Sequence, residues 1–162
     1  MKEHDIKNPR LAEGGRYRID RAEQEMPVLR LVMERFKKEQ PLKGIRVIDI
    51  TSMITGPLCA QQLGDLGADV IKIEPAHGEI SRWMAPPQKA GITGFYAQMN
   101  RNKRSLSVDL KNPEGIAIIK KLAETADILV ENFRGGVPDR LGIGYDALRA
   151  LNDKLIYVSI TG

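Results

Sequence analysis

The sequence predicts an α/β protein: an open, mostly parallel sheet with helices on its faces, preceded by one amphipathic helix. Three observations carry that expectation. Short β-branched runs recur from residue 45 onward, helical stretches separate them, and a 162-residue chain with 42% apolar content can close one core. Strand and helix in repeated alternation is the pattern of parallel strands joined by crossover helices.

Residues 1–20 are polar, end in GGRYRID and show little periodicity, so they read as a loose arm. In 21–40 the residues Leu29, Val32, Met33 and Phe36 recur at i, i+3, i+4 and i+7, which predicts an amphipathic helix. Acidic and basic residues mix on its polar face, which favours packing on protein over lying on a membrane. Residues 1–40 are therefore set apart from 41–162.

From Pro41 the pattern changes. IRVIDI (45–50) is the first strand, Gly56-Pro57 opens a helix over LCAQQLGDL, and Gly67 stops it. ADVIKIE (68–74) is the second strand, reached by a crossover about as short as a parallel unit permits. A loop with Trp83, Pro86 and Pro87 follows. SLSVDL (105–110) is the third strand, and Asn112-Pro113-Glu114 supplies an N-cap and a first-turn proline for a helix to Glu124. DILVENF is the fourth strand, two short helical turns lie between Val137 and Leu151, and KLIYVSI is the fifth. The result is a doubly wound, Rossmann-like sheet. Because the sequence closes on YVSITG, just past a strand where a crevice loop and helix are due, the sheet is expected to be incomplete at that end.

Composition excludes several classes. The formal charge of +4 divides into 10 basic and 8 acidic residues in 1–40 and 15 and 13 thereafter, so no segment is a basic tail. Aromatic residues make up only 5%, too few for a stacking platform, and the cations are dispersed, which argues against nucleic acid. Two histidines, His4 and His77, and one cysteine, Cys59, do not make a histidine- or thiolate-rich metal site. A lone cysteine, a polar N-terminus and no long apolar run fit a cytoplasmic protein without a membrane span.

Ligands of open parallel sheets bind beyond the carboxyl ends of the strands. The candidate loops are TSMITGP, EPAHGE, DLKNPEG, ENFRGG and SITG. In the first, the backbone N–H groups where the loop enters the helix, with the helix dipole, favour an anion, or Gly56 and Pro57 simply make the turn. No G-x-G-x-x-G is present, so Glu74 reads as well as a strand-end acid beside Lys72 as it does as a ribose ligand. Ser52, Ser81 and Ser159 have no base within the pattern except His77, and no G-x-S-x-G turn occurs. Of the strand-end acids Asp49, Asp109 and Glu131, Asp109 is expected to cap the following turn and Glu131 to balance Arg134. The cations Arg101, Lys103, Arg104, Lys111, Arg134 and Arg140 remain. They are either solvated charges or a clamp for a compact ligand bearing several phosphates.

Three strings, PLKGIRVIDITSMITGPLCAQQLGDLGADVIKIEP, NRNKRSLSVDLKNPEG and ADILVENFRGGVPDRLGIGYDALRALNDKLIYVSITG, resemble the N-terminal part of the family III CoA-transferases from about Pro41 to Gly162. That group includes formyl-CoA and carnitine CoA-transferases and the α-methylacyl-CoA racemases. The resemblance implies a coenzyme A or acyl-CoA site built from Met53, Ile54 and Thr55; from Val108, Asp109, Leu110 and Lys111; and from Asn132, Phe133, Arg134 and Arg140. Phe133 is suited to adenine, and Lys111 and Arg140 to phosphate oxygens. Where family members often carry arginine after the second strand's glutamate, this chain has Pro75.

The resemblance further implies transfer of coenzyme A to a carboxylic acid acceptor, within a homodimer of full-length chains and without a metal. An aspartate attacks the thioester, a mixed anhydride and then an aspartyl-CoA thioester form, and the acceptor carboxylate takes over the CoA. That aspartate lies beyond the SITG segment in the family, so no residue of this chain is assigned its role. An acyl-CoA racemase portion, and a non-catalytic module that keeps only CoA affinity or subunit contacts, are the alternative readings.

Overall fold

The computed structural model describes residues 31, 34–36, 38–84 and 92–161. Residues 1–39 and 40–162 form two units. In the first, 34–36 and 38–39 are helical, and Arg35 Nε donates to Glu39 Oε1 at 2.8 Å one turn away. The arm expected over 1–20 and the positions Leu29, Val32 and Met33 lie outside the described residues, as do Pro86 and Pro87.

The second unit carries the sheet. Its elements are β1 (Arg46–Ile50), α1 (Thr55–Asp65), β2 (Asp69–Glu74), a 3-10 turn (Ile80–Arg82), α2 (Gly94–Asn100), β3 (Lys103–Ser107), α3 (Pro113–Ala123), β4 (Ile128–Glu131), α4 (Val137–Leu141), α5 (Tyr145–Arg149) and β5 (Ile156–Ser159). The five strands run parallel in the order β3-β2-β1-β4-β5. The expected class and parallel sheet are what the structure has. Two elements depart most from expectation. β3 begins at Lys103 and ends at Ser107, so Val108, Asp109 and Leu110 lie beyond it as a loop. The seven-residue helix α2, capped where Thr93 Oγ1 accepts the Tyr96 N–H, was not among the expected elements.

Alternation along the strands separates two faces. Ile48, Ile50, Ile71, Ile73 and Leu129 join Ile119 and Ala123 of α3 and Leu148 of α5 in the larger core. Val47, Val70 and Val130 point the other way, onto Ala60 of α1. A single-residue slip in register would exchange these faces, so burial on both sides fixes it. The edge is less protected, since Ile156 on β5 is 59% exposed.

α3 starts where sequence chemistry places it. Asn112 Oδ1 accepts the Glu114 N–H at 2.9 Å, and Pro113 occupies the first turn, where no N–H partner is required. Two residues after Pro113, Gly115 packs against the preceding loop so closely that a Cβ there would lie 2.1 Å from the Asp109 carbonyl oxygen. Gly115→Ala is therefore expected to lower stability by at least about 2 kcal/mol in urea unfolding, because the obstacle is backbone and has no rotamer to change.

Candidate functional site

Strand order reverses between β1 and β4, and the loops at the carboxyl ends of β1 to β4 open onto a cleft of about 460 Å³. Thr51 and Ser52 come from the β1 loop, His77 to Ile80 from the β2 loop, Val108 to Lys111 from the β3 loop, and Phe133 from the β4 loop. Leu110 and Lys111 also belong to an adjoining groove of about 420 Å³, whose far side carries Lys120 of α3 and Arg140 of α4. Arg134 lies instead in a smaller hollow of about 170 Å³ beside Phe133, Tyr145 and Tyr157.

Of the residues expected at the site, Val108, Asp109, Leu110, Lys111 and Phe133 thus share the main cleft, and Lys111 and Arg140 both line the adjoining groove. Met53, Ile54, Thr55 and Asn132 do not line either space. Asn132 is engaged elsewhere: its Oδ1 accepts the Ser52 N–H and its Nδ2 donates to the Ser52 carbonyl, both at 2.9 Å. Asp109 caps its own turn, with Oδ1 accepting the Lys111 N–H at 2.9 Å. Glu131 does not balance Arg134. Its Oε2 accepts the Phe133 N–H at 2.7 Å, a local bond that orients the ring-bearing residue.

Three of the candidate cations are held in ion pairs. Arg101 binds Asp65 at 2.6 Å, Lys103 binds Asp49 at 2.8 Å, and Arg104 binds Asp69 through two bonds of 2.7 and 2.8 Å. The basic run around the start of β3 therefore ties this segment to α1, β1 and β2 and does not line the cleft. Among the described residues, no ion pair or side-chain hydrogen bond engages Lys111, Lys120 or Arg140, the three that face one groove. Lys120 was not among the expected site residues. Its signal was present, since Pro113, Ile116 and Lys120 fall on one helix face at spacings of three and four.

Beneath the cleft the acids are occupied. The Glu74 carboxylate, 2% exposed, accepts from Arg82 Nε and Nη2, the Glu79 N–H, Tyr96 Oη and Ser105 Oγ at 2.7–3.0 Å. Burial alone would raise this carboxyl, but Arg82 above all, with the other donors, outweighs it and brings it down to about 2. Burial and the bond to Glu74 push the Tyr96 phenol up. The Arg82 guanidinium lies 3.8 Å over the Tyr96 ring, which closes this side of the β2 loop. Glu74 is thus a structural hub, not a ribose ligand.

Fold and crevice define a doubly wound α/β protein with its candidate site across the switch point. The model of CoA-transferase family III matches residues 42–162, and the chain belongs to that family. A second model, S-adenosyl-L-homocysteine hydrolase, matches residues 3–73, less than half of the chain. Among curated proteins, the succinate–glutarate CoA-transferase of Agrobacterium fabrum is 45% identical over 77% of this chain and 33% of its own length. The formyl-CoA:oxalate CoA-transferase of Rhodopseudomonas palustris is 41% identical over 75% and 29%. The crystal structure of a CAIB/BAIF family protein from Brucella suis aligns with a TM-score of 0.72 at 40% identity, over 75% of this chain and 33% of that one. The chain thus spans about a third of the length of the relatives it matches. No helix among the described residues is long and apolar enough to cross a membrane.

Proposed function

We propose that this chain is the coenzyme A-holding portion of an enzyme that moves CoA between carboxylic acids. The observation that carries the reading is the juxtaposition of a largely apolar cleft with a groove bearing Lys111, Lys120 and Arg140, joined through Leu110 and Lys111. A ligand with an apolar arm and a phosphorylated end matches that division. Phosphate oxygens are held by cations with free donors, and arginine offers a bidentate fork. Arg101, Lys103 and Arg104 are instead paired with Asp65, Asp49 and Asp69, away from the cleft lining. The activities of the relatives named above, succinate–glutarate and formyl-CoA:oxalate CoA-transferase, favour acyl-CoA and a carboxylic acid as the reacting pair.

In this reading the chain binds and orients, and covalent chemistry belongs to the part of the relatives outside the match. The acids argue for this division. Asp49, Glu74, Glu79 and Glu131 are all buried and hydrogen-bonded, and Asp109, the exposed acid of the cleft, caps its turn. A carboxylate that must attack a thioester requires an open approach and a free oxygen. The aspartate that forms aspartyl-CoA is placed with the remaining two thirds, in a homodimer of full-length chains. Calorimetric titration of the chain with CoA is expected to give saturable binding, with Arg140→Ala and Lys111→Ala each weaker by about tenfold, the loss of roughly one charge-assisted phosphate contact. Binding unchanged in both variants contradicts the assignment.

A further inference from the structure

The loop after β1 is built unlike the other turns of the sheet. Residues 51–53 make no backbone–backbone hydrogen bond among the described residues, yet five of their six backbone polar groups are satisfied by side chains. The Thr51 N–H donates to Asp49 Oδ1 at 2.9 Å, and the Thr51 carbonyl accepts from Lys72 Nζ at 2.9 Å. Asn132 takes both the N–H and the carbonyl of Ser52. The Met53 N–H donates to Glu79 Oε1 at 2.8 Å. These partners come from β1, β2, the β2 loop and the β4 loop, so the segment is fastened from every side.

It is also held in a conformation it would not choose. Met53 has φ of +70°, in the left-handed region, which costs a residue with a Cβ on the order of 1 kcal/mol or more. Glu79 is rigid enough to impose this, being 3% exposed, anchored through its own N–H to Glu74 Oε2 at 3.0 Å, and accepting Ser81 Oγ. On the opposite side, Gly56 lets the loop lie flat on α1, since a Cβ there would be 2.4 Å from Thr51 Cβ.

We infer that Glu79 and Asn132 are positioning residues that hold the β1 loop in its left-handed shape, and that this shape forms the part of the cleft wall against which the CoA ligand binds. The inference rests on the CoA reading above and assigns Asn132 to the protein backbone instead of to the ligand. Ser52, which it grips at two points, lines the cleft while Asn132 does not. Met53, gripped by Glu79, is turned outward, so the side chains that follow, Ile54 and Thr55, take their direction from that one backbone angle.

The test separates a positioning role from general support of the fold. Glu79→Ala is expected to weaken CoA binding about tenfold in the parent chain. In a Met53→Gly background, where the left-handed angle carries no Cβ penalty, the same change is expected to cost less than about threefold. Equal losses in the two backgrounds, or no loss in the parent, overturn the inference. If Glu79→Ala does not fold, Asn132→Ala in both backgrounds gives the same comparison from the half-buried side. Amide hydrogen exchange reads the clamp without any ligand: the Ser52 and Met53 amides should exchange faster in Asn132→Ala and Glu79→Ala respectively, while those of β1 and β4 stay protected. Unchanged exchange at both amides sinks the clamp itself. A parent chain that shows this acceleration but no CoA binding instead removes the CoA reading and leaves the clamp standing.

Discussion

Asp49→Asn is expected to destabilise the chain by about 3–5 kcal/mol, a large share of the roughly 5–15 kcal/mol that holds a small domain folded. Two lysines depend on that one carboxylate. Lys103 Nζ lies 2.8 Å and Lys72 Nζ 3.6 Å from Asp49 Oδ2, with all three side chains no more than 1% exposed. Lys103 completes its donors with the Pro57 carbonyl and Asn100 Oδ1, and Lys72 donates to the Thr51 carbonyl, so both ammonium groups are fixed where water does not reach. Burial pulls Lys103 below the ordinary lysine value, and Asp49 opposes that shift. Without the carboxylate the depression deepens. A lysine held low when folded binds fewer protons than when unfolded, so the variant's deficit should shrink as pH rises toward the ordinary lysine value. Asp69→Asn is the control. Asp69 pairs with Arg46 and Arg104 but is 40% exposed, and its loss should cost less than about 1 kcal/mol. Urea unfolding of the two variants at neutral and alkaline pH measures both; equal costs would contradict the account of a buried pair.

The second large effect is on the acid limb. The Glu74 carboxyl is depressed from the ordinary 4.5 to about 2 in the folded chain, so the unfolded state binds its proton first as pH falls. Its contribution is fully present above about pH 4.5 and is lost between there and about pH 2. A shift of that size corresponds to on the order of 3 kcal/mol. Glu74→Gln should therefore be less stable than the parent near pH 7, and the gap between the two should close as pH is lowered toward 2. A constant gap across that range would show that the carboxylate's charge is not what Arg82, Tyr96 and Ser105 rely on.

Local pattern in the sequence sufficed where burial on both faces dictates composition. β1, β2 and β4 are rich in buried β-branched residues, and their limits differ from expectation by two residues or fewer. β3 was misplaced because it is an edge strand whose first residues are Lys103 and Arg104, which are paired with Asp49 of β1 and Asp69 of the adjacent β2. The alternation then reads on through Val108, which is buried as part of the cleft wall beyond the strand. The same limit applies at the site. That Lys111 and Arg140 face one groove follows from loops at one end of a parallel sheet. Glu79 acting on Met53 and Asn132 acting on Ser52 join residues 26 and 80 positions apart, and no spacing rule reports such contacts.

These assignments share a physical basis. Arg101, Lys103 and Arg104 are closed into pairs with Asp65 of α1, Asp49 of β1 and Asp69 of β2, whereas Lys111, Lys120 and Arg140 on the groove beside the cleft have no such partner among the described residues. The central claim is that only the latter three meet the ligand. Titration of CoA against Arg140→Ala and Arg104→Ala, at matched salt and with unfolding curves to confirm the fold, tests it most directly. The account predicts about a tenfold loss of affinity for Arg140→Ala and no more than about a twofold change for Arg104→Ala. Equal losses in the two variants, or no saturable binding by the parent chain, would contradict it.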